Sequence, residues 1–92
     1  MKHQRHYGAS LAALKEAEQI KKLIADLDRL VQIIACDIAT EEERARVSDR
    51  SDAAYPILAR VLAARRDNLR GTIAALEKRL ANLPAETELE LA

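Results

Sequence analysis

Glycine, proline and aromatic residues are nearly missing from this 92-residue chain, with two Gly, two Pro, two Tyr and neither Phe nor Trp. So few chain-breaking residues exclude a turn-rich β architecture, and so few rings exclude a pocket or stacking platform built from aromatics. One cysteine, Cys36, excludes an internal disulfide framework. Charge of one sign is missing too: fifteen Lys and Arg balance fifteen Asp and Glu. That balance excludes a uniformly basic nucleic-acid protein and a wholly acidic solvating chain. No apolar run approaches the ~20 residues of a membrane span, and no apolar signal core follows the basic start. A cytoplasmic protein with no membrane contact is the expectation.

What remains is alanine, leucine, isoleucine and charge. Hydrophobic residues make up 49 % of the chain, and 18 residues are Ala. This is the composition of long helices in a single domain. Ala17, Ile20, Ile24, Leu27, Val31, Ile34 and Ile38 repeat at alternating spacings of three and four, an a/d heptad seam. Tyr55, Ala59, Leu62, Arg66, Leu69, Ile73, Leu76, Leu80 and Leu83 repeat the pattern, with Arg66 its one charge. Two such helices predict an all-α antiparallel hairpin.

Punctuation sets the expected boundaries. Residues 1–8 read as a flexible basic start, 9–83 as the hairpin domain and 84–92 as an acidic mobile tail. The first helix is expected to begin near Ala9 or Ser10, whose hydroxyl can cap it. Thr40 with Glu43 is a capping-box signature, so the first helix either continues through residues 41–47 or a short helix restarts there. Ser48-Asp49-Arg50-Ser51-Asp52 is the expected loop, with Ser51 or Asp52 as the next cap. Pro56 belongs in or near a first turn and Pro84 ends the second helix.

A hairpin buries one stripe of each helix. Leu23, Leu30, Ile33, Ile57, Leu58 and Val61 fall outside the seams and would stay wet in a monomer, which predicts an interface. A homodimeric four-helix bundle is expected, with Leu23, Leu27, Leu30, Ile34, Leu62, Leu69, Ile73 and Leu76 in its core or interface. Residues 33–38 are apolar almost all round, so a covering element over Ile33 and Cys36 is expected there.

Chemistry-bearing clusters are weak. His3 and His6 could share a metal ion, but no third histidine exists to complete a site. Asp37 and Glu41–Glu43 lack the Glu-x-x-His pairs of a carboxylate-bridged metal bundle. Cys36 has no base nearby in sequence to hold a thiolate. No cofactor and no catalytic or metal-ligating residue is therefore expected, and no enzyme. Arg60, Arg65, Arg66 and Arg70, opposed only by Asp67, are the most suggestive group. Folding the hairpin near residue 47 sets Arg66 opposite Asp28, so pairing between helices or subunits is the expected role of Asp28, Arg65, Arg66 and Arg70. The functional expectation is a small non-enzymatic protein–protein interaction module: an adaptor, an inhibitor or antiactivator, or a chaperone-like subunit with a protein partner. The alternative is a nucleic-acid-associated regulator using Arg60–Arg70 and the basic start.

Overall fold

A computed structural model describes the backbone of residues 2–84 and the side chains from Leu11 to Pro84. Among these residues the chain is all helix and loop: α1 spans Lys2–Ala45 and α2 spans Ile57–Ala81, and the two pack against each other. The molecule measures 67 × 17 × 16 Å. Its long dimension matches α1 alone, because 44 residues at about 1.5 Å each reach roughly 66 Å.

The helices are unequal, 44 residues in α1 and 25 in α2. α1 begins at Lys2, so Ala9 and Ser10 lie inside it rather than at its start. The side chains of His3 and His6 and the tail 85–92 lie outside the described residues. At its other end α1 runs straight through the Thr40–Glu43 signature, and no short helix intervenes before α2. Thr40 donates its hydroxyl back to the Cys36 carbonyl at 3.0 Å, the usual habit of a threonine within a helix.

What stops α1 is a turn without glycine. Arg46 adopts a left-handed conformation at φ 57°. The Arg46 amide then donates to the Glu43 carbonyl and the Val47 amide to Glu42, both at 3.2 Å. These are the paired bonds of a Schellman cap. Val47, just beyond it, packs against the core.

The loop that follows is held by its own side chains. Asp49 Oδ1 accepts from the Ser51 amide at 3.0 Å and from the Ser51 hydroxyl at 2.7 Å. These two bonds, the hydroxyl's the stronger, pull the Asp49 pKa below its ordinary 3.8. Asp52 Oδ1 accepts from the Ala54 amide at 2.8 Å. Both acids therefore shape turns, and neither Ser51 nor Asp52 caps α2. Pro56 occupies that position without a side-chain cap bond. Tyr55 accordingly precedes the helix whose seam it begins.

The two heptad stripes meet as their spacing predicts. Ile20, Val31, Ile34, Ile38, Tyr55, Ala59 and Ile73 are buried, and every other residue of both stripes is at least half-buried. Ala63, off the predicted stripe, is buried as well. The tightest packing is at the loop end, where Ile34, Ile38, Tyr55, Ala59 and Ala63 cluster with Val47, Leu62 and Leu69 around them. Small alanines on α2 let the backbones approach there and make room for the one buried ring.

Candidate interaction surface

Tyr55 organises the closed end of the hairpin. Its hydroxyl donates to Glu42 Oε2 at 2.8 Å, tying the start of α2 to the end of α1. The bond to Glu42, and then burial, push the phenol above its ordinary pKa of 10.0. The Arg60 guanidinium lies 5.2 Å from the ring centroid and donates to the Arg50 carbonyl at 2.8 Å and the Asp52 carbonyl at 3.3 Å. Arg60 is therefore a clamp on the loop, stacked on a ring and bonded to the backbone.

Arg66 pairs within its own helix rather than across the hairpin. No salt bridge joins it to Asp28 among the described residues. Its ion pair is with its own neighbour, Nε to Asp67 Oδ1 at 3.6 Å. Asp28 follows the seam residue Leu27 by one position, about 100° round the helix, and stands exposed at the edge. The Arg66 side chain keeps only 15 % of its surface exposed, and its buried Nε has no hydrogen-bond partner. Arg60 is exposed but committed to the loop and Arg66 is sunk in the seam, so Arg65 and Arg70 are the exposed members of that cluster with no bond to the loop.

The polar contacts at the two ends of the hairpin reveal its sides. Glu16, Leu23, Leu30, Asp37 and Arg44 stand seven residues apart on α1, and Leu58, Arg65, Thr72 and Arg79 do so on α2. Residues seven apart lie within ~20° of one another on a straight helix. At the open end, Arg79 Nε donates to Glu16 Oε1 at 2.7 Å, and its Nη2 reaches the same oxygen. At the loop end, Asp37 and Arg44 line one groove of about 380 Å³ with Leu58 and Leu62. The two rows are bonded at the open end and line one groove at the loop end, so they lie on one side of the molecule.

That side is where the exposed apolar surface collects. Leu23, Leu30, Ile33, Leu58 and Val61 expose between 40 % and 59 % of their surface, and Ile57, at the helix start, 79 %. All six residues expected to stay wet in a single chain do so. Glu16–Arg79 and Asp37, Glu41 and Arg44 border the patch at its two ends. The other side carries Leu14, Lys21, Asp28, Ala35 and Glu42 on α1 and Ala63, Arg70 and Glu77 on α2; its large apolar residues are the half-buried Leu14 and, beside it, Leu11 at 42 % exposure, both at the open end of the hairpin.

Among the described residues nothing supplies the expected cover over Ile33 and Cys36: Ile33 is 52 % exposed and Cys36 is exposed. Two helices supply one partner for each stripe and nothing for a third face. Of the residues expected at an interface, Ile34 and Ile73 are buried inside the hairpin. Leu27, Leu62, Leu69 and Leu76 are half-buried in its seam, and Leu23 and Leu30 face out. Among the described residues, no group of His, Cys, Asp and Glu could hold a metal ion, and no helix is long and apolar enough to cross a membrane.

No family model, curated protein or solved structure matches the chain.

Proposed function

We propose that this protein is a small, non-enzymatic interaction module that works through a helical face and self-associates into a homodimeric four-helix bundle. One observation carries the reading: five large aliphatic side chains stand exposed on a single side of a two-helix hairpin. Water-exposed aliphatic surface concentrated on one side is the mark of a docking face. A hairpin completes a hydrophobic core most directly by stacking on another pair of helices. Roles of this type include adaptor, inhibitor or antiactivator, and chaperone-like subunit, each with a protein partner in the cytoplasm.

The test is affinity capture from cells with and without Leu23→Asp and Leu30→Asp. Recovery of a defined protein by the native chain, lost when the two substitutions break the dimer, supports the reading. Recovery dominated by nucleic acid, abolished by Arg65→Ala with Arg70→Ala, overturns it in favour of the regulator alternative.

A further inference from the structure

We propose that the occupant of the Leu30–Leu58 side is a second copy of this chain, and that the opposite, alanine- and charge-bearing side stays outside the dimer. The inference rests on the self-association reading and adds to it which surface is consumed. Three observations point to a second copy.

Area is the first. The chain exposes 7118 Å². A compact monomer of 10.2 kDa would expose roughly 5,300 Å², leaving an excess of about 1,800 Å². A stable association buries about 800 Å² per partner; the excess belongs to the elongated chain as a whole, and the exposed aliphatic residues of the leucine side are the part of it that an interface would cover.

Anatomy is the second. On α1, Leu23, Leu30 and Ile33 fill the middle of this side between the Glu16–Arg79 pair and Asp37, while on α2 Leu58 and Val61 extend the apolar surface to the loop end and Arg65 stands at the level of Leu30. An apolar centre inside a polar rim is how protein interfaces are built.

Charge is the third. The two rows and the groove beside them present Glu16, Asp37 and Glu41 against Arg44, Arg65 and Arg79. A two-fold interface sets the same surface against itself. A rim of one sign would repel its own copy, and this balanced rim does not. An acidic or basic partner would instead be matched by a rim of a single opposite sign.

The consequence is a division of labour. Self-association covers the leucine side, and Lys21, Asp28 and Arg70 on the other side remain available to whatever the dimer meets.

Sedimentation equilibrium across a concentration series tests this, with circular dichroism reporting helicity. Leu30→Glu and Leu58→Glu put a charge at positions already exposed in the single chain, so the hairpin should stay helical. Each should weaken the dimer at least about 100-fold, the size of a central interface side chain. Lys21→Glu and Arg70→Glu, on the other side, should leave the dissociation constant within about threefold. A native dimer that survives both leucine substitutions, or that dissociates with Lys21→Glu or Arg70→Glu, overturns this placement while self-association stands. A native chain that is monomeric throughout overturns self-association itself. Should a glutamate variant lose helicity, Leu30→Gln with Leu58→Gln reads the same surface without adding charge.

Discussion

Arg66→Leu should stabilise the protein, although it removes a charged residue that has an ion-pair partner. Arg66 occupies a seam position between Leu62 and Leu69, with 15 % of its side chain exposed and a buried Nε that bonds to nothing. Its partner Asp67 is 62 % exposed, and an ion pair with so wet a member contributes about 0–1 kcal/mol. Leaving a buried donor unsatisfied costs about 1–3 kcal/mol. Leucine removes that cost and adds a branched aliphatic group to a leucine-lined seam. The part of the arginine stem already packed there offsets some of the gain. The expected net is about 1–2 kcal/mol of stabilisation, in line with apolar replacement of other buried charges. For a domain of this size that raises Tm by roughly 4–8 °C per kcal/mol. Thermal and urea unfolding followed by circular dichroism, at one fixed protein concentration, measure it. Asp67→Ala should change stability by less than about 0.5 kcal/mol in the same assay. A lower Tm for Arg66→Leu would refute the reasoning and show that the guanidinium makes a stabilising contact beyond the single chain.

Three further outcomes test separate parts of the structure. Arg46→Gly should raise stability by about 1 kcal/mol in urea unfolding, because the left-handed cap at φ 57° strains any residue with a Cβ; a loss would mean that the arginine side chain holds the turn. Gly71→Ala should stabilise α2 by about 0.5–1 kcal/mol, since a Cβ there would meet nothing within 4 Å; destabilisation would place another chain against that position. Tyr55→Phe should cost about 1 kcal/mol at neutral pH through the lost bond to Glu42 and flatten the alkaline side of the stability profile. Because folding raises the Tyr55 pKa above 10.0, its contribution is complete below that pH and fades as pH rises through the higher folded value. An alkaline profile identical in the native and Tyr55→Phe chains would contradict this.

The heptads made the core legible because a period of 3.5 leaves each helix one stripe to bury. From Ile20 to Ile38 and from Tyr55 to Leu83 that stripe is what the hairpin covers. The same logic marked the leftover residues Leu23, Leu30, Ile33, Ile57, Leu58 and Val61. One open alternative closes and two features escaped, for identifiable reasons. Thr40 and Glu43 carry the letters of a capping box, but helix propagation through Glu41–Arg44 costs less than a new nucleus. The real stop, at Arg46, lacks the glycine that announces a left-handed cap, and its evidence is the seating of Val47 against the core. For Arg66, spacing alone indicated an opposing acid. The fold-back is centred near residue 48, as Tyr55–Glu42 and Arg79–Glu16 both indicate, and no acid from α1 meets the guanidinium. The pairs that bridge the helices, Tyr55–Glu42 and Arg79–Glu16, depend on this register. Spacing within one helix does not carry it.

The side of the molecule on which the leftover leucines gather was hidden for a related reason. Periodicity places Leu30 beside the α1 seam and Leu58 beside the α2 seam. Only contacts across the hairpin tell whether they share a side, and the Glu16–Arg79 pair and the Asp37–Leu58 groove do so.

Self-association is the claim on which the functional reading depends, and the solution mass of the native chain tests it most directly. Sedimentation equilibrium at micromolar concentration should give about twice the 10.2 kDa of one chain, with a monomer emerging only on dilution. A mass of 10.2 kDa across the whole concentration range would contradict the account and leave the leucine side without its partner.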